Sequence, residues 1–130
     1  MPQDPRPIRL HPEGPADAGL GDRHRMVNER CPAPPLERRK RFFMAERPAG
    51  QIRATVWECE AYTETIESYP MDEFMVVVEG SVTLIDGDGH AEKFVPGDSF
   101  FIPLGTKVTW QQEERMKKFC LVYADWKVQE

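Results

Sequence analysis

No stretch of this chain comes near the ~20 consecutive apolar residues of a membrane-spanning helix. Its opening residues, MPQDPRPIRLHPEG, lack the apolar segment of a secretory signal. A cytoplasmic protein without a membrane partner is therefore expected. Cysteine is sparse: Cys31, Cys59 and Cys120 are an odd count without a CxxC pair. That pattern predicts reduced thiols rather than a disulfide framework. Histidine is scarcer in effect than in number. His11 and His24 fall in the proline-rich opening, and His90 follows the turn at a hairpin tip. All three read as solvated surface groups. Convincing helical periodicity is missing as well.

An excess of positive charge is also lacking, since the net charge is −5. Its distribution is uneven. Residues 1–50 hold ten Lys and Arg against seven Asp and Glu, and residues 51–130 hold seven against fifteen. An acidic body is a poor partner for a phosphate backbone. The run ERRKRFF, residues 37–43, reads as a solvated arm or an interface rim, and no nucleic-acid partner is expected.

What the chain does have is enough for one core: 130 residues, 40% hydrophobic, with 3 Trp, 7 Phe and 3 Tyr. It divides near residue 50. Residues 1–49 carry nine of the twelve prolines and read as an arm, extended or partly disordered. Within it, RFFMAERPAG (41–50) has enough apolar content to dock as a first strand. Residues 50–130 read as a single all-β domain. Short apolar runs recur about every ten residues between Gly, Pro and Asp. Strands are expected at 51–62, 63–69, 73–80, 99–105, 106–112 and 116–126. A hairpin over 81–95 turns on Asp86-Gly87-Asp88-Gly89.

The fixed points of this region form a pattern. Glu73 precedes Gly80 by seven residues; Gly97 precedes Pro103 by six and Pro103 precedes Gly105 by two. Around them stand Trp57-Glu58, Tyr69-Pro70, Asp72-Glu73-Phe74, Val77, Gly97-Asp98 and Thr109-Trp110. In these residues the chain resembles the cupin superfamily. The nearer resemblance is to the cupin family that groups ureidoglycine aminohydrolase domains with ethanolamine-utilisation cupins. It covers residues 50–125 and implies a double-stranded β-helix, or jelly-roll barrel, with homodimer formation through sheets and a strand edge. It also implies chemistry on small amines or C–N bonds.

The resemblance further implies where a metal would be held: two His two residues apart, then a Glu, then a third His. In this chain those positions fall on Glu67, Tyr69, Glu73 and Val108, and the trailing Asn position on Gln112. Only Glu73 keeps a usual ligand type, so neither a metal nor another cofactor is expected. Glu67 and Glu73 share strand parity and are expected to face the interior. Such a pair must share a proton, pair with a cation such as Lys118 or a ligand, or leave Glu67 in water at the barrel mouth.

The candidate site comprises Glu73 and Tyr69 as acid and base. Glu67, Gln112, Trp57, Phe101 and Trp110 are the ligand-binding residues, the aromatics forming an apolar wall. The aromatics read equally as plain core. Cys59 is a conceivable nucleophile, though a buried inert thiol is the commoner case. Two functions stay open: a cupin that binds a small molecule without a His-ligated metal, and a metal-dependent enzyme of ureidoglycine aminohydrolase type. Whether the chain catalyses at all is left open.

Overall fold

The structure, a computed structural model, describes residues 5–28 and 30–125. Among the described residues it contains ten strands and no helix, so no helix is long and apolar enough to cross a membrane. The strands are β1 (His24–Arg25), β2 (Leu36–Arg47), β3 (Gly50–Cys59), β4 (Tyr62–Ile66) and β5 (Asp72–Glu79). They continue with β6 (Val82–Asp86), β7 (Ala91–Phe94), β8 (Ser99–Ile102), β9 (Val108–Gln112) and β10 (Met116–Asp125). Trp126, the expected end of the last strand, lies outside the described residues.

Two antiparallel sheets face each other as a jelly roll. One has the order β1-β2-β3-β10-β5-β8, the other β4-β9-β6-β7. Alternation decides what each strand buries. In β9, Val108, Trp110 and Gln112 are buried while Thr109 and Gln111 between them are half-exposed. Trp57, Cys59, Met75, Val77, Val82, Ile102 and Met116 join Val108 and Trp110 in one core between the sheets. Each fully buried side chain of this size contributes ~1.5–3 kcal/mol of transfer free energy.

The six-stranded sheet begins well before residue 50. β2 pairs with β3 along its whole length, from Glu37 opposite Cys59 to Arg47 opposite Gly50. The sequence boundary at residue 50 thus falls within a β-hairpin. Composition hides this strand because β2 is mostly charged: Glu37, Arg39 and Arg41 alternate toward the inner face, and Arg38 toward the outer. A bulge between Arg41 and Phe43 then shifts the register.

Residues 13–23 pack on the outer face of this sheet, with Leu20 buried. Glu58 is buried there and accepts from Arg38 (2.9 Å) and Arg115 (2.9 Å), with Arg23 at 3.4 Å. Buried Lys117 donates to Glu13 of the opening segment at 2.9 Å. The segment is held by charges that have little other access to water.

Candidate functional site

The inner face of the six-stranded sheet is laid out in cross-strand rows. Arg39, Trp57, Lys118 and Val77 form one row. Arg41, Thr55, Cys120 and Met75 form the next. Arg53, Val122, Glu73 and Ile102 form the third. Over these rows lies a cleft of about 920 Å³, lined among others by Trp57, Thr55, Arg53, Glu73, Lys118 and Val122. Its size is that of a site for a small organic molecule.

At its base Glu73 is tied on both oxygens. The Tyr69 hydroxyl donates to Oε1 at 2.6 Å, and the Lys118 ammonium donates to Oε2 at 3.3 Å. Lys118 also reaches the Met75 sulfur at 2.9 Å and lies 4.6 Å and 4.7 Å from the ring centres of Trp57 and Trp110. A desolvated ammonium between two indole faces gains cation–π attraction on both sides. Burial disfavours both charges of the pair. Even so, the Glu73 carboxyl lies below its ordinary value, because Lys118 and the Tyr69 hydroxyl favour the anion. Against the same burial, the surrounding acidic groups, Cys120 and Glu73, hold Lys118 above its ordinary value. At neutral pH Glu73 is the partner that matters, since burial pushes the Cys120 thiol up to about 12 and leaves it uncharged. Burial, then the Glu73 charge, pushes the Tyr69 hydroxyl well up, so it remains a proton donor to Glu73.

A second buried carboxylate anchors the wall. Glu37 Oε1 accepts from the Trp57 indole N–H at 2.8 Å, and Arg39 donates to both Glu37 oxygens at 2.8 Å. His24 Nε2 lies 3.2 Å from Glu37 Oε2. Burial raises the Glu37 carboxyl, but Trp57 and Arg39 outweigh it and the net shift is downward.

The expected site residues scatter. Glu73, Tyr69, Trp57 and Trp110 come together around Lys118. Glu67 does not join them: its side chain is 76% exposed and pairs with Lys107 at 3.5 Å. The expected parity with Glu73 fails because β4 ends at Ile66, and Glu67 to Met71 run through a turn. In that turn Tyr69 is fixed by backbone bonds, its N–H to the Thr106 carbonyl and its carbonyl to the Gly105 N–H, both 2.8 Å. Phe101 also points away from the cleft, on the outer face of β8 at 56% exposure, while its neighbour Phe100 packs toward Trp110. Gln112 is buried with its amide engaged. Oε1 accepts from the Trp110 indole N–H at 3.0 Å, and Nε2 donates to the carbonyls of Cys59 and Glu114, both at 2.9 Å. It clasps strands and has nothing left for a ligand.

Apart from Trp57, the cleft residues of β2 and β3 were not legible as a site. Glu37, Arg39 and Arg41 stand two apart in ERRKR, a period-2 signal that the overall charge of the run conceals. His11 and His90 lie outside the cleft.

The residues here do not fit a metal ion. Glu73 is the one carboxylate at the expected position. Its two oxygens are taken by a hydroxyl and an ammonium, and a cation brought to it would meet the charge of Lys118. Among the described residues no group of three or more His, Cys, Asp or Glu side chains is placed to share an ion.

Comparison with known proteins agrees with the fold. The family model of the EutQ-like cupin domain matches residues 46–119. The EutQ protein of Clostridium difficile is 21% identical, over 69% of this chain and 69% of its own, with a TM-score of 0.57. A protein of unknown function from Pseudomonas syringae pv. tomato is 24% identical over 78% of this chain and 42% of its own, with a TM-score of 0.63. Ectoine synthase from P. lautus is 16% identical over 75% of this chain and 67% of its own, with a TM-score of 0.57. At such identities the likeness shows the fold alone. No curated protein matches the chain.

Proposed function

The chain belongs to the EutQ-like cupin family, and from that premise we propose that it is a small-molecule-binding cupin working without a His-ligated metal. The ligand enters the cleft over β2, β3 and β10 and rests on Trp57, with Glu73 and Lys118 at the base. The observation that carries this reading is the Lys118–Glu73 contact at 3.3 Å. It supplies, from within the chain, the positive charge that a carboxylate in this position needs.

The same pair weighs against acid–base catalysis by Glu73 and Tyr69. A carboxylate held below its usual range is a weak base, and a phenol held far above its own is a weak acid. In this reading both residues position Lys118 and the indoles rather than react. A metal-dependent enzyme of ureidoglycine aminohydrolase type would need a cation where Lys118 already stands.

The protein is further proposed to be a cytoplasmic homodimer without nucleic-acid or membrane partners. An outer-face row supports self-association. Phe43, Ala54, Leu121, Phe74 and Phe101 are in register across five strands, and the four large side chains are 40–56% exposed.

The test has two arms. Wild type and Glu73→Gln are exposed to Mn(II), Fe(II) and Zn(II), desalted and analysed for metal; neither is expected to retain a stoichiometric ion. A stoichiometric metal in wild type that disappears in Glu73→Gln would overturn the reading and restore the metalloenzyme. A thermal-shift screen of small molecules is then run beside Thr55→Trp, which fills the cleft. Stabilisation in wild type that is lost in Thr55→Trp is expected.

A further inference from the structure

Resting on that reading of the cleft, we propose that its ligand is a small organic oxyanion, a carboxylate or a phosphate ester, gripped at the mouth by Arg41 and Arg53. Its apolar body would lie on Trp57 and Val122.

The cleft has a charge opposite to that of the protein. Six cations line it, Arg30, Arg39, Lys40, Arg41, Arg53 and Lys118, against two carboxylates, Glu37 and Glu73. Three of the six are already compensated. Lys118 is held by Glu73, Arg39 by Glu37, and Arg30 by Glu64 at 3.2 Å. Among the described residues no carboxylate pairs with Lys40, Arg41 or Arg53, and of these Lys40 stands opposite Val56 rather than Thr55. Arg53 donates to the neutral Gln51 Oε1 at 3.0 Å and lies 3.9 Å from the Met71 sulfur. Arg41 meets only the Met44 sulfur, at 2.7 Å. A guanidinium carries five N–H donors, so most of the capacity of each is unused.

Their placement turns spare charge into a site. Thr55 stands opposite Arg41 across the β2–β3 ladder, and Arg53 is two residues before Thr55 on the same face. The two arginines therefore stand beside Thr55 in the ladder, one from each of two adjacent strands, and all three line the cleft. A planar fork matches two oxygens of a carboxylate or phosphate, and Arg53 is half-buried, which strengthens the attraction. Below them the wall turns apolar with Val122, Cys120 and Trp57. At the base the Glu73 charge is cancelled by Lys118, so an anion meets no net repulsion there. An amine would face Arg41 and Arg53 without a free carboxylate.

The test uses the full chain at fixed ionic strength and four congeners sharing one alkyl body: butyrate, butyl phosphate, butylamine and 1-butanol. Melting temperature and calorimetric binding are read against matched sodium chloride. Butyrate or butyl phosphate is expected to stabilise the protein and butylamine and butanol are not; the tighter of the two anions tells carboxylate from phosphate. Arg53→Gln and Arg41→Gln are each expected to weaken anion binding about tenfold or more, as loss of a charged hydrogen bond would. Arg53→Lys keeps charge and fold but not the fork, and is expected to recover part of that loss. Equal stabilisation by butylamine or butanol, unchanged anion affinity in both Gln variants, or no response to either anion would overturn the proposal. Failure of the cleft reading looks different: anion binding that is lost in Arg53→Gln but survives Thr55→Trp would lie outside the cleft.

Discussion

Lys118 and Glu73 meet at 3.3 Å in the interior, on adjacent strands and with both side chains buried. Such a pair is held by mutual dependence more than by net gain. Removing one partner leaves the other charged and desolvated, at a cost of about 3–5 kcal/mol, while replacing both can be nearly neutral. Lys118→Met and Glu73→Gln are each expected to lower stability by about that amount. The double variant is expected to lose much less than the sum of the two. Urea denaturation of the four proteins checks this. Additive losses would mean that the two groups do not compensate each other.

The pH dependence follows from the directions of the shifts. The Glu73, Glu37 and Glu58 carboxyls are all lowered from 4.5 in the fold. Their stabilisation is present above about that pH and is lost as pH falls through their folded values. Tyr69 and Lys118 are raised from 10.0 and 10.5, so stability falls as pH rises beyond those values. A plateau across neutral pH is expected, with an acid limb below 4.5 that is shallower in Glu73→Gln. Urea midpoints from pH 3 to pH 8 would show it. An acid limb identical in Glu73→Gln and wild type would remove Glu73 from the account.

The fold was more legible than the site, for a physical reason. Turn glycines and alternating apolar residues are local signals, and they located β3, β5, β8, β9 and β10. Site membership depends on which way a side chain faces. Counting by twos from Glu73 carried Glu67 inward across Ser68 and Pro70, although a proline cannot extend the ladder and the strand has already ended at Ile66. The same counting could not reveal that Phe101 faces outward on β8. Lys118 could be named as a partner for Glu73, but not placed between two indoles. Arg41 and Arg53 were hidden because a charged residue in a strand reads as solvent-facing. Only the pairing of β2 with β3 turns alternate members of ERRKR into a cleft wall.

The thiols make a separate prediction. Burial pushes Cys59 and Cys120 up to about 12, and both side chains are buried. The thiolate is the reactive form, so neither is expected to react with iodoacetamide at pH 8 while the protein is folded. Mass spectrometry before and after unfolding would show modification at these two only in denaturant. Fast labelling of Cys120 in the native state would mean that the cleft floor opens, since Cys120 stands between Thr55 and Met75 in its second row.

Two glycines separate backbone strain from crowding. Gly80 has a φ of 75° and Gly105 a φ of 88°, so both lie in the left-handed region. Any other residue costs ~1–2 kcal/mol there. Around Gly105 an added Cβ meets nothing within 4 Å. At Gly80 it would land on the carbonyl oxygen of Arg115 and come within 2.9 Å of the Met116 Cα. That is backbone, which cannot swing aside as a side chain end can. Gly105→Ala is therefore expected to cost ~1–2 kcal/mol, and Gly80→Ala about 3 kcal/mol or more. The difference reaches the site. Gly80 abuts the start of β10, beside the register shift with β5 at Lys117 and Lys118, where strand alternation sends one ammonium to each face of the sheet. Gly80→Ala is accordingly expected to weaken ligand binding in the fraction that stays folded, and Gly105→Ala is not. Urea curves and calorimetry on both variants decide it. Equal destabilisation would show that the β5–β6 turn yields, and unchanged binding in Gly80→Ala would uncouple that turn from Lys118.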